Sequence, residues 1–468
     1  MATHANNEAN LSQGLKNRHV TMLSIAGAIG AGLFVGSGHA IAAAGPAALI
    51  AYVVAGALVV LVMRMLAEMA ISQPDSGSFS TYADRAIGKW AGFTIGWLYW
   101  WFWVLVIPFE ANAAAAILHS WIPDAPIWLL AFLITAALTV TNLFSVKNYG
   151  EFEFWFALIK VTAIIAFIVF GCAAIFGFSP NPTVSGVQHL WDHGGFVPNG
   201  WGPVIAALLT TMFSFMGSEI VTIAASESKN PEHQITKATN SVIWRIALFY
   251  FVSIFIVIGL VPWNDPRLPD MGSYQTVLTL LNVPHAKLIV DIVVLTSVAS
   301  CLNSALYTAS RMVYSLAQRG DAPAFAKKVS KSKTPIYAVL LSTAVAFICT
   351  FANYAAPAEV FNFLLDSSGA IALLVYLVIA CSQLKMRKKL IQEGKPLTMK
   401  MWCFPYLTWG VILFIIGALA IMAFDPKHTH EITSTGILSL IVVISGLIVT
   451  KRRHQSATSV THSHLEAK

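Results

Sequence analysis

Glu110, Lys160 and Glu219 each stand inside a long apolar run of this chain, where a charge is costly. Ionisable groups at such depths in a bilayer mark pathways for ions or substrates by default. Lys160 lies nine residues beyond Glu151, at the inner-side polar end of its run. At 1.5 Å per residue that is ~13 Å along a helix, too deep for easy snorkelling to the headgroups. Glu110 follows Pro108 and reaches a matching depth from the opposite end of its own run. A Lys–Glu pair meeting at mid-depth either forms a structural salt bridge or exchanges a proton as access alternates. Glu219 belongs to a polar interruption, Gly217-Ser218-Glu219, where a carboxylate can bind a proton, gate a site or orient a substrate amine.

The second chemical feature is backbone. "LSIAGAIGAGLFVGSG" (23–38) places Gly27, Gly30, Gly32, Gly36 and Gly38 in one apolar stretch. Gly32-x-x-x-Gly36 has the spacing for close helix packing. A dinucleotide loop is excluded, because no strand or βαβ unit surrounds it. The remaining reading is an unwound segment: free N–H groups open the second half-helix and can hold a carboxylate, and free carbonyls close the first and can hold an ammonium. Irregular backbone at that depth survives only where it lines a cavity. The matching interruption in "LLTTMFSFMGSEIVTIAASES" (208–228), five spans later, favours the unwound segment over simple packing. Paired interruptions at equivalent positions of two halves point to an inverted-repeat secondary transporter. Phe213, six residues before Glu219, reads by composition as core rather than gate.

These residues need long apolar helices to hold them, and the composition supplies them. The 468 residues are 57% hydrophobic and 11% charged, with a mean hydropathy of +0.69; soluble proteins carry about 25% charge. About twelve runs are long enough to cross ~30 Å of hydrocarbon: 21–42, 46–72, 90–118, 126–144, 152–176, 202–226, 240–262, 287–316, 336–354, 358–384, 404–423 and 435–450. The fold class is therefore an all-α polytopic membrane protein with a five-plus-five inverted repeat and two additional helices. Its expected parts are an N-terminal tail (1–20), a first five-span repeat (21–176), a loop (177–201), a second repeat (202–384), spans 11 and 12 (404–450) and a basic C-terminal tail (451–468). The polar first twenty residues lead to the expectation that no cleavable leader precedes the first run.

The net charge of +7 is a topology signal and not a nucleic-acid footprint. Only Arg267, Lys287 and Lys427 fall on one side, Arg64 and Lys160 lie within spans, and the other basic residues collect on the opposite side or in the span ends facing it. The positive-inside rule puts both termini in the cytoplasm, with affinity for anionic lipid headgroups as a by-product. Arg64 and Glu68, four apart on span 2, read as a structural pair. Cys172, Cys301, Cys349, Cys381 and Cys403 lack paired spacing and read as small core residues. The tryptophans of "WLYWWFW" (97–103) include some too deep for an interfacial belt, so they pack span 3 or line a cavity. His119 to Asp124 has the H-x₄-D spacing of some acyltransferases but no partner blocks. With no metal-ligand cluster, nucleotide loop or nucleophile elbow, neither an enzyme nor a cofactor is expected.

Several blocks together resemble one family: "IGAGLFVGSG", "MRMLAEMA", "SGSFSTYADRAIGKWAGFTIGW", "VKNYGEFEFWFALIKV", "FSFMGSEIVTIAASESKNP" and "CLNSALYTASRMVYSLAQRGDAP". In this order they span essentially the whole chain, which resembles the amino-acid transporter branch of the amino acid–polyamine–organocation superfamily. The resemblance implies a leucine-transporter-like fold and proton-coupled uptake of a small zwitterionic amino acid across the bacterial inner membrane, with 4-aminobutyrate the expected cargo. β-Alanine, proline or an aromatic amino acid are the alternatives, as is a sensor that binds without transport. The family's Gly-x-Gly falls on Gly30-Ala31-Gly32, so substrate contacts are expected from Ala28, Ile29, Gly30, Ala31 and Gly32. On span 6 they are expected from Phe213, Gly217 and Ser218, with Phe213 also the gate. Lys160 falls where sodium-coupled relatives hold their ion, Glu110 is its acidic span 3 partner, and Glu219 completes the coupling set. Many relatives carry Ser where this chain has Ala31, so carboxylate binding leans on backbone N–H groups here.

Overall fold

The computed structural model describes residues 14–466 apart from 27, 28, 31, 179, 180, 182, 183, 356, 395, 396 and 425–428; side chains of residues 26, 209, 210, 213, 352–355, 357–369, 429–431 and 452–466 also lie outside the description. Among the described residues the regular structure is all helical, apart from one isolated bridge between Leu15 and Ser228. A backbone surrounded by lipid satisfies its polar groups within each helix, and apolar side chains cover the outside.

Twelve spans follow in order. Span 1 is broken into Asn17–Ala26 and a stretch starting as a π-turn at Gly32–Gly36 and continuing through Ser37–Ala44. Span 2 is Ala48–Ser72, span 3 Lys89–Trp121, span 4 Ile127–Phe144 and span 5 Val146–Ile175. Span 6 is broken into Trp201–Phe215 and Ile220–Ser226, and span 7 runs Pro231–Leu260 with a π-turn at Ile246–Val252. Spans 8 to 12 are Ala286–Gln318, Ile336–Ala355, Pro357–Gln392, Tyr406–Phe424 and Thr429–Glu466. Among the described residues nine helical stretches are individually long and apolar enough to cross a membrane. Spans 1 and 6 fall short separately because each is interrupted. The last helix runs on through the expected C-terminal tail to Glu466.

Burial sorts the spans into shells. Span 8 packs along span 3 and against span 5, while span 1 leans on spans 5 and 7. Span 12 buries only 11% of its apolar window, as suits a helix facing lipid. The expected Arg64–Glu68 pair is replaced by longer-range partners. Arg64 donates to the Lys400 carbonyl (2.8 Å) and stacks on Trp402. Glu68, 1% exposed, instead accepts from the Met401 N–H (2.7 Å), Gln383 (3.0 Å) and Arg387 (3.4 Å), tying span 2 to span 10 and the segment before span 11. Burial decides it: a carboxylate in a dry interior needs several donors, and one i,i+4 neighbour supplies too few. All cysteines are free, but Cys403 is exposed and is not the core residue its apolar neighbours suggest. His119 Nδ1 lies 2.9 Å from the Ala125 carbonyl, a local turn contact.

Candidate functional site

The two breaks meet. A Cβ on Gly32 would come within 2.7 Å of Ser214 Oγ and 3.0 Å of its Cα, so the opening of the second half of span 1 rests directly on span 6. A Cβ on Gly30 would lie 2.6 Å from Glu110 Oε1 and 3.0 Å from Cys301 Sγ, so the same break also faces spans 3 and 8. Between these elements lies a cavity of ≈ 20 Å³ lined by Gly30, Gly32, Trp103, Glu110, Ser214 and Cys301, with Phe102, Val106 and Met216 filling the wall. That is roughly the space of one water molecule, so the walls must part to admit an amino acid.

The span 6 break is held by its own carboxylate. Gly217 has φ 99°, a left-handed conformation that glycine adopts without penalty. Its N–H donates to both Glu219 oxygens (3.1 Å each), and Tyr99 Oη donates to Glu219 Oε1 (2.8 Å). Glu219 is thus fully buried as the internal ligand of the turn. The Ser218 hydroxyl donates to the Phe215 carbonyl (2.9 Å) and accepts from Arg245. The first break is held by Lys160, also fully buried, whose Nζ donates to the Ile29 carbonyl (3.0 Å) and to Ser300 Oγ (2.9 Å).

Both approaches to the cavity are covered. On the side of the connection between spans 7 and 8, Phe34 meets Tyr274 edge-on at 4.9 Å, and Tyr274 stacks on Phe167 at 4.0 Å. Ser37 and Ser273 share a 2.6 Å hydrogen bond, and Gly38 leaves room for the Leu268 carbonyl, which a Cβ would approach to 2.0 Å. Beside these contacts Asp265 binds Arg267, whose guanidinium holds the Asp265 carboxyl below its ordinary range. On the opposite side Arg245, 4% exposed, donates to the Ser24 carbonyl (2.6 Å) and to Ser218, fastening the first half of span 1 to the span 6 break. Arg18 adds a pair to Glu151 at 2.5 Å.

Of the residues expected from sequence, Gly30, Gly32 and Glu110 line the cavity, while Ile29, Gly217, Ser218, Glu219 and Lys160 brace the two breaks behind it. Ala28 and Ala31 lie outside the described residues; Phe213 sits within Trp201–Phe215, and its side chain is outside them as well. Trp103, one of the tryptophans expected to pack span 3 or line a cavity, stands on the wall; sequence reasoning missed Cys301 and Ser214 there, and Arg245, Tyr99, Ser300 and Glu153 behind it. A signal existed for Arg245 and Glu153, charges just inside apolar runs, but both read as the basic and polar ends of spans. Among the described residues no group of three or more His, Cys, Asp or Glu is placed to hold a metal ion.

Two helices broken against one another around a closed central cavity define an integral membrane transporter of the inverted-repeat class. The profile of the amino acid permease family matches residues 19–457, and the chain belongs to that family. It is 68% identical over 446 residues to a probable GABA permease of Pseudomonas aeruginosa, covering 95% of this chain and 94% of that one. It is 66% identical to the gamma-aminobutyric acid permease of Escherichia coli, covering 92% and 93%. An aromatic amino acid transport protein of Corynebacterium glutamicum is 40% identical, covering 95% and 96%. Among solved structures, a variant of the Eremococcus coleocola manganese transporter superposes with a TM-score of 0.59 at 13% identity, covering 93% and 94%, a likeness of fold.

Proposed function

We propose that this chain carries 4-aminobutyrate into a bacterial cell across the inner membrane, coupled to proton entry by alternating access, with both termini in the cytoplasm. The reading is carried by the meeting of the two breaks at the cavity wall, where Gly30 and Gly32 leave backbone N–H groups for a substrate carboxylate. The names of the relatives at 66% and 68% identity support the choice of cargo.

Charge accounts for the coupling. Glu110 Oε1 stands against Gly30, where the carboxylate of the substrate is to sit. Two carboxylates brought together repel, and protonation of Glu110 as substrate binds relieves that repulsion and brings a proton with the cargo. Lys160 contributes a fixed ammonium to the Ile29 carbonyl, the service a sodium ion would render, and gaining or losing that charge tightens or loosens the first half of span 1. Glu219 and Ser218 hold the span 6 break in register while Phe213 gates it.

The test is uptake by the purified chain in proteoliposomes of labelled 4-aminobutyrate, β-alanine, proline and phenylalanine, with and without an inward proton gradient. Accumulation of 4-aminobutyrate above the others, and only with the gradient, is the expected result. Preference for another cargo overturns the substrate; binding without uptake makes the chain a sensor.

A further inference from the structure

Glu153 has no part in the reading above, yet it is one of the few carboxylates sealed inside the bundle, 1% exposed. It precedes Lys160 by seven residues on span 5, two helical turns, so the two share a face ~10 Å apart along the axis. Span 8 supplies the link: Lys160 Nζ donates to Ser300 Oγ (2.9 Å), and Ser300 Oγ donates to Glu153 Oε2 (2.7 Å). The other oxygen, Oε1, is taken by Asn303 Nδ2 (2.8 Å). The Asn303 amide is fixed in turn, because its Oδ1 accepts from Asn142 Nδ2 (2.7 Å) and Thr141 Oγ1 (3.1 Å) of span 4. Oε2 is therefore the oxygen turned toward the lysine.

We propose that Glu153 is the proton acceptor for Lys160, with Ser300 as the bridge, an assignment that rests on the proton-coupled reading above. In the step, an N–H bond of the Lys160 ammonium breaks as its proton joins Ser300 Oγ. The original Ser300 hydroxyl proton passes to Glu153 Oε2, leaving a neutral amine, an unchanged serine and a carboxylic acid. No charge is created or lost; a buried ion pair becomes two neutral groups, which a dry interior tolerates at no greater desolvation cost. The neutral amine then gives the Ile29 carbonyl an ordinary hydrogen bond in place of a charge-assisted one about twice as strong, and the first half of span 1 is freed to move. The groups facing Glu153 are compatible with this. Tyr149 of span 5 is hydrogen-bonded to Ser304 of span 8 and stacked on Tyr307, and beyond it Glu227 is already paired with Arg311 at 3.1 Å. Glu110 and Cys301, which also face Lys160, line the cavity.

The experiment compares two activities of the purified chain in proteoliposomes: accumulation of labelled 4-aminobutyrate driven by a proton gradient, and exchange against internal unlabelled substrate, which needs no net proton movement. Glu153→Gln keeps the shape and removes the proton acceptor; Ser300→Ala removes the bridge. In each variant the ratio of accumulation to exchange is expected to fall roughly tenfold or more. Glu153→Gln that accumulates substrate like the unaltered chain overturns the assignment. So does a parallel loss of accumulation and exchange in both variants, which marks a purely structural role. If the unaltered chain itself exchanges but never accumulates under the gradient, the proton-coupled reading fails first and the assignment falls with it.

Discussion

Gly30 and Gly32 owe their identity to what a side chain would strike. A Cβ at Gly30 meets Glu110 Oε1 at 2.6 Å, and valine would add two further methyls there. Overpacking of this kind costs roughly 1–3 kcal/mol, about 5- to 150-fold in affinity. Gly30→Val is expected to weaken 4-aminobutyrate binding by that factor in a scintillation proximity assay, and normal binding would remove the span 1 break from the site. Lys160 is tested through its charge. With its ammonium removed, Lys160→Ala leaves the Ile29 carbonyl and Ser300 without their donor, so gradient-driven accumulation is expected to be abolished. Accumulation at the level of the unaltered chain would exclude Lys160 from coupling.

At the scale of elements, Arg245 joins two half-helices that sequence alone does not bring together. Its guanidinium spans the Ser24 carbonyl and Ser218, just before span 7 widens into a π-turn at Ile246–Val252, a distortion common near functional sites. Arg245→Leu removes this clasp, and the first half of span 1 is expected to swing free. Amide hydrogen exchange in Asn17–Ala26 should then rise several-fold while that of span 3 stays put; equal protection would show that the clasp is not what holds the half-helix. What was legible in the sequence follows the same division. The breaks could be read because glycine clusters and lone charges are anomalous in apolar helices, and the anomaly itself is the signal. The clasp could not, because an arginine at a span end is what topology alone requires. Glu153 was hidden likewise by its place at the polar end of span 5, and Arg64 with Glu68 misled because i,i+4 spacing says nothing about donors arriving from span 10. The connection between spans 7 and 8 carries one further consequence. Asp265 is depressed below the ordinary carboxyl range near 4 by Arg267, so its contribution is complete above that range and lost only as pH falls through the lower folded value. Changes in uptake between pH 5 and 8 are therefore expected to survive in Arg267→Gln; a profile flattened over that range would place the pH sensor in this connection.

The whole molecule is closed over a cavity too small for its proposed cargo, and the closures on the two sides use different residues. Phe34, Tyr274 and Ser37 seal one approach while Arg245 and the first half of span 1 seal the other, so either can open without the other. Alternation between such states shifts a population rather than creating a new structure. Cys301 reports on it, because the residue is only 7% exposed and its thiol lies on the cavity wall beside Gly30. In a chain with the other cysteines replaced by serine, each opening hydrates the cavity and lets the thiol ionise and react. A small membrane-impermeant methanethiosulfonate is expected to label Cys301 in right-side-out vesicles and equally in inside-out vesicles. Saturating 4-aminobutyrate, which fills the space the reagent must enter, should slow both reactions several-fold. Labelling confined to one vesicle orientation would mean that the cavity opens to one side only, and alternating access would have to be given up for this chain.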